Sequence, residues 1–209
     1  DGRGLFPGFY RCWREEELFF LVTEYIPGQS LGELMRRRGR LTQRQALRIG
    51  IRLAQGLCDL EERGIVYRDL KPDNVIVCED GELKLIDFGC VCPRWDGELF
   101  SPRGEGLAGT YGYAPPEQMR LPDPEAEALP GAYSDVYALG RLLHYLLTGD
   151  DPCRPPFEKP PIRRYDRRFS RELEDMIRDC VRRDSRERPP ALRRVLQRMC
   201  ALEGGRGRR

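Results

Sequence analysis

The stretch from Tyr67 to Gly89 constrains this chain more than any other. It reads Tyr67-Arg68-Asp69-Leu70-Lys71-Pro72-Asp73-Asn74, then an apolar run from Val75 to Cys78. An Asp80-Gly81 turn, a second run from Leu83 to Ile86 and the triplet Asp87-Phe88-Gly89 follow. Two apolar runs across an Asp-Gly pair signal a hairpin, because that dipeptide tolerates the positive φ of tight turns. A hairpin returns its ends to one place. Asp69, Lys71, Asn74 and Asp87 therefore lie on or beside a loop and a hairpin, where they can converge. Two carboxylates, an amide oxygen and an ammonium suit a hard cation and a phosphate, since Mg²⁺ takes oxygen ligands and shares them with substrate phosphates. Phosphoryl transfer needs such a set: one carboxylate as base and further oxygens to hold metal.

Around this block the pattern predicts a mainly helical domain. Phe9 to Trp13 and Leu18 to Glu24 read as strands joined by the polar turn Arg14 to Glu17. The run Phe19-Phe20-Leu21-Val22 is apolar throughout, which predicts burial on both faces. Pro27-Gly28 breaks that strand, and a short helix over Leu31 to Arg37 stops near Gly39. Thr42 fits an N-cap for a long helix ending near Arg63, with Ala46, Leu47, Leu53, Ala54, Leu57 and Leu60 at helical spacing. Further helices are expected near 134–148, 170–182 and 189–200. Gly89 to about Gly131 is rich in Gly and Pro and has no period, as functional or mobile loops do. The tail from Gly204 to Arg209 is expected to be disordered.

Charge and cysteine usage exclude several classes. The 36 basic and 34 acidic side chains leave a net charge of +2, with no general pull toward nucleic acid or anionic membrane. The local runs Arg36-Arg37-Arg38, Arg163-Arg164 and Arg167-Arg168 read as solvated faces. No apolar run approaches the roughly 18–20 residues that span a bilayer. Eight cysteines without a CxxC pair, and one histidine, argue against a zinc site. Scattered cysteines without a secretory leader fit a reducing cytosol, so a cytoplasmic location is expected. His144, in an apolar helical run, reads as a core or boundary residue.

Taken together, these motifs resemble the protein kinase family, whose pattern is H-R-D-L-x-x-x-N, then D-F-G, then A-P-E. Here Tyr67 stands for the histidine, Arg68-Asp69-Leu70 and Asn74 are in place, Asp87-Phe88-Gly89 is intact, and Pro115-Pro116-Glu117 occupies the third motif. The resemblance runs from about Phe6 to Leu202. It implies an α+β, mainly α fold: a kinase C-lobe over 27–203, a remnant of the N-lobe strands and hinge over 1–26, and the tail 204–209. It also implies ATP and Mg²⁺ as cofactors and protein serine or threonine hydroxyls as substrate. By the same resemblance Asp69 orients or accepts the substrate proton, Lys71 steadies the γ-phosphate, and Asn74 and Asp87 hold the metal. Thr23 sits as gatekeeper. The backbone of Glu24 and Ile26 meets adenine, with Ile76 beneath it. Arg68 reaches the activation segment, Asp135 braces the catalytic loop, and Glu117 pairs with Arg188. Lys71 and Thr110 follow the serine/threonine pattern, and the wording around Tyr67 and Ala114 is similar to bacterial members.

No G-x-G-x-x-G loop, strand lysine or partner glutamate helix is present in these residues. The expectation is a longer natural protein with a missing N-lobe or a dimer partner. The alternative is a pseudokinase-like binding or regulatory module without catalysis. Two further expectations concern the segment after Gly89. Cys90 and Cys92 read as small apolar side chains, with a redox switch as the alternative. Ser101, or the acids Asp96, Glu98 and Glu105, would order the loop through Arg68, with a loop that no anion orders as the alternative.

Overall fold

The computed structural model describes residues 4–16, 18–95, 98–99, 109–119 and 131–205. Its first element is a hairpin of β1 (Phe9–Glu15) and β2 (Leu18–Thr23). β1 runs past the turn expected from sequence, since Glu15 pairs with Leu18. The reversal is tight enough to put Glu16 at φ 52°. Burial of β2 on both faces is not what folds. Phe20, Leu21 and Val22 are 36%, 56% and 41% exposed, because the hairpin pairs along its length without a packed layer over these side chains.

The helical body is laid out by caps that the sequence supplies. In α1 (Leu31–Arg38), Ser30 accepts from the Glu33 amide while Glu33 returns a bond to the Ser30 amide. α2 (Gln43–Glu62) starts the same way with Thr42 and Gln45. Its buried face packs against α4 (Ala132–Thr148) and α7 (Leu192–Gly204). Gly50 makes the crossing possible: a Cβ there would lie 2.8 Å from Leu143 and 2.9 Å from Met199. α4 is the centre of the core, with Leu139, Leu142, Leu143, Leu146 and Leu147 wholly buried. α3 (Pro116–Met119), α5 (Ile162–Tyr165) and α6 (Arg171–Cys180) complete the helices. Gly204 belongs to α7 rather than to a disordered tail, since the helix continues through it.

Two small antiparallel sheets hold the Tyr67–Gly89 block. β3 (Gly28–Ser30) pairs with β5 (Val75–Cys78), which pairs with β6 (Leu83–Leu85) across the expected Asp80-Gly81 turn. β4 (Ile65–Val66) pairs with β7 (Cys92–Trp95), and β7 with β8 (Glu98–Leu99). β7 and β8 lie in the stretch that sequence read as irregular. β4 has two residues and β7 contains Pro93, so neither carries a legible period. Their pairing brings the residues just before Tyr67 alongside those just after Cys90. No strand pair among the described residues is parallel. No helix among them is long and apolar enough to cross a membrane. The lead-in chain is anchored too: Leu5 is buried, and its carbonyl accepts from the Leu85 amide at 2.7 Å.

Candidate active site

The loop from Tyr67 to Asn74 is held from beneath by one carboxylate. Asp135, on the first turn of α4, accepts the backbone amides of Tyr67 and Arg68, each at 2.8 Å. Burial pushes its carboxyl up to about 6, against the lowering pull of the two amides. Held this way, Arg68 adopts φ 73°, which turns the chain so that Asp69 faces inward. The Gln118 side chain donates to the Arg68 carbonyl at 2.6 Å. That bond crosses Gly109, where a Cβ would stand 2.3 Å from the Gln118 nitrogen and 2.8 Å from the same carbonyl. Only glycine fits there, and its φ is 93°.

Three of the sequence-predicted residues converge on one point. Lys71 Nζ donates to Asp69 Oδ2 at 2.8 Å, and Asn74 Nδ2 donates to the same oxygen at 3.0 Å and to the Asp69 carbonyl at 2.9 Å. The Thr110 hydroxyl donates to Asp69 Oδ1 at 2.7 Å and accepts from Lys71 at 2.9 Å. Asp69 is 6% exposed, so these bonds act in a partly dried environment where each is stronger than in water.

Asp87 is placed beside this group but not in it. The Ile86 amide donates to the Asn74 carbonyl at 2.9 Å, which ties the two segments together. Asp87 itself is exposed, sits at φ 62°, and accepts from the Gly89 amide at 3.0 Å. Phe88 turns inward instead. Its ring meets Tyr67 edge-on at 5.9 Å and Phe6 at 5.8 Å. The Tyr67 hydroxyl donates to the Ile86 carbonyl. Burial, with the charges of Asp69 and Asp87, raises the phenol above its ordinary range and keeps it a donor.

Gly8 and Glu24 exchange two bonds: Glu24 N to the Gly8 carbonyl at 2.7 Å, and Gly8 N to the Glu24 carboxylate at 2.8 Å. The Glu24 carbonyl and the Ile26 amide have no backbone partner among the described residues. Ile76 is half-buried, and its Cγ2 would lie 2.8 Å from a Cβ at Gly28, so it borders the segment after Ile26. Glu117 and Arg188 form the expected ion pair at 2.6 and 2.9 Å, with the Arg188 side chain wholly buried. Arg68 is buried, and its Nε has no hydrogen-bond partner among the described residues. Ser101, Asp96 and Glu105, and the side chains of Glu98 and Cys92, lie outside the described residues. His144 is buried and neutral in tendency, bonded to the Pro160 carbonyl at 2.8 Å, as a boundary residue should be.

Thr110, which the resemblance ties to the serine/threonine pattern, places its hydroxyl in the Asp69 cluster. The glycine before it and the spacing to Glu117 were the signal. Gln118 carried none, since its role comes from the fold bringing residues 68 and 118 together.

A family profile described as "Protein kinase domain" matches residues 8–199. The chain is 33% identical over 142 residues to the probable serine/threonine-protein kinase PknB of Bifidobacterium longum, covering 68% of this chain and 19% of that protein. To mitogen-activated protein kinase kinase 1 of Arabidopsis thaliana it is 30% identical over 199 residues, covering 87% and 54%. To the serine/threonine-protein kinase PknL of Mycobacterium tuberculosis it is 37% identical over 133 residues, covering 64% and 31%. The chain thus spans between about a fifth and just over half of the length of these relatives.

Proposed function

Since this chain belongs to the protein kinase family, we propose that it forms the catalytic lobe of a serine/threonine kinase that transfers the γ-phosphoryl group of ATP to protein hydroxyls. The observation that carries this reading is the Thr110 hydroxyl donating to Asp69 Oδ1 at 2.7 Å beside Lys71. An aliphatic hydroxyl already makes the bond that a phosphoacceptor would have to make. A substrate serine or threonine would displace Thr110 from Oδ1, and Asp69 would orient or accept its proton. Lys71, held within reach by Asp69 and Thr110, would face the transferred phosphoryl group and offset its charge.

Asn74 spends its N–H groups on Asp69, which leaves its amide oxygen for a cation. Asp87 keeps one oxygen beyond the bond from Gly89. This donor set fits Mg²⁺, which takes few protein oxygens alongside phosphates and waters. When bound with ATP, the metal supplies charge neutralisation at the phosphates. The Glu24 carbonyl and Ile26 amide would meet adenine, with Ile76 beneath it. On this reading 1–26 is the edge of an N-lobe and 27–203 the C-lobe, acting on proteins in a reducing cytosol. The seven described cysteines are all free, which supports that compartment.

The test is Asp69→Asn in the full-length protein, assayed for phosphate transfer to serine-containing peptides. The rate should fall about 10²–10⁴-fold with the fold intact. Asp87→Asn should shift the Mg²⁺ dependence of nucleotide binding. A parent that binds nucleotide but never transfers phosphate would favour the binding-module alternative.

A further inference from the structure

Two arginine-rich segments that the active site does not use, 36–44 and 163–171, lie far apart in sequence and meet in the fold. Together they hold ten arginines and a single acid, Asp166, for a net charge of +9. The whole chain carries +2, so everything outside these two segments sums to −7. The meeting is explicit. Arg40 lies 3.9 Å from Asp166, and the Ser170 amide donates to the Gln43 side chain at 3.3 Å. Segments that read separately as solvated faces become one basic corner.

The corner cannot neutralise itself. Its one acid is already taken: Arg168 grips Asp166 with Nε at 3.0 Å and Nη2 at 2.7 Å, and these bonds hold the carboxyl down to about 2. Of the acids that follow in α6, Glu172 is exposed beside Arg171 and Glu174 accepts the Arg163 amide at 2.9 Å. Arg37, Arg38, Arg44, Arg164, Arg167 and Arg171 are exposed and form no ion pair among the described residues. Like charges gathered this closely oppose the compact state, and a counter-charge relieves them.

We propose that this corner is a docking surface for an acidic protein segment, one rich in Asp and Glu, bound outside the phosphoryl-transfer site. Planar guanidinium groups match carboxylates two bonds at a time. A membrane fits less well. Among the described residues the exposed large hydrophobic side chains lie on the hairpin, at Tyr25 and at Tyr111 and Phe157, so no wedge stands ready to enter a bilayer here. A nucleic-acid strand fits less well too. Tyr165 is turned onto His144 with its hydroxyl on Asp150, and Phe169 is buried, so neither presents a face for base stacking. Arg36, at the near end of the corner, reaches Asp73 of the catalytic loop at 3.5 Å. A bound acidic segment would lead toward Asp69. That the docked protein is a substrate rests on the kinase reading, whereas the binding itself does not.

The experiment is fluorescence anisotropy of a labelled oligoglutamate peptide titrated with the full chain at about 50 mM and about 200 mM salt. Saturable binding that weakens with salt is expected. Reversing Arg37, Arg38, Arg167 and Arg171 together to Glu should weaken it at least about tenfold. Reversing Arg182 and Arg183, a basic pair elsewhere, should leave it unchanged. Circular dichroism checks the fold, and Gln at the same four positions replaces Glu if the reversal unfolds the chain, with the same ranking expected. No binding by the parent, equal binding by both sets of variants, or tighter binding of phosphatidylserine vesicles or duplex DNA than of the peptide would overturn the proposal. Intact peptide binding by a protein that transfers no phosphate would sink the kinase reading and leave the docking surface standing.

Discussion

Two apolar runs of this chain end in opposite surroundings. In α4, Leu139, Leu142, Leu143, Leu146 and Leu147 have no exposed surface, while in β2, Leu18, Leu21 and Val22 are 65%, 56% and 41% exposed. Composition does not separate them. α4 is wrapped by α2, α6 and α7, whereas β2 has β1 beside it and solvent over its side chains. The hairpin is held by main-chain pairing and by the Trp13–Phe20 stack at 4.9 Å. Burial is therefore a property of what surrounds a segment. The catalytic loop shares the fate of α4, because its brace, Asp135, rises from that helix.

The largest loss of stability is expected on the core side. Arg188→Met should destabilise the chain by about 3–5 kcal/mol, since Glu117 would be left as a poorly compensated charge. Three carbonyls, those of Tyr133, Arg182 and Arg183, also lose their donor. Thermal unfolding should fall by roughly 10 °C. A drop of only a degree or two would mean that the core tolerates the loss as a surface would.

Asp135→Asn should come next, at about 1–3 kcal/mol near pH 7.5, because one of two buried amides loses its acceptor. Its pH dependence carries more information. The Asp135 carboxyl is raised to about 6, so the native state holds its proton more firmly than the unfolded chain does. The stability this group contributes is present below about pH 4 and is lost as pH rises through about 6. The asparagine variant lacks that fall. Urea denaturation of both proteins at pH 5 and pH 7.5 should show the parent's advantage shrinking at the higher pH. An advantage that grows with pH would contradict the assigned shift.

The smallest effect belongs to the hairpin. Trp13→Ser should change stability by no more than about 0.5 kcal/mol, as exposed positions do. A loss near that of Arg188→Met would show that β1 and β2 are covered in solution.

The contrast also explains which features could be read from sequence. The helix of Thr42 to Arg63 was legible because its cap and its apolar spacing are local. The convergence of Asp69, Lys71 and Asn74 was legible because a turn and a hairpin confine them. β4 and β7 were not, since their pairing joins residues 65–66 to 92–93 and leaves no pattern in either segment. The solvent-facing run in β2 misled for the complementary reason: its pattern was clear, but burial needed a neighbour that sequence alone cannot supply. Thr110 and Gln118 act on the site through contacts 41 and 50 residues long in sequence, beyond the reach of local signals.

Those long contacts set an expected order of events when the chain folds. The brace from Asp135 to Tyr67 closes a loop of 68 residues, and the Arg188–Glu117 pair closes one of 71. Loop closure must be met before such contacts return any stability, whereas α1 and α2 can begin from their own capping boxes. The helices are thus expected to gather first, and the inward turn at Arg68 that aims Asp69 to be set late. A chain stalled on the way would show much of its helical signal while its catalytic loop was still unaimed.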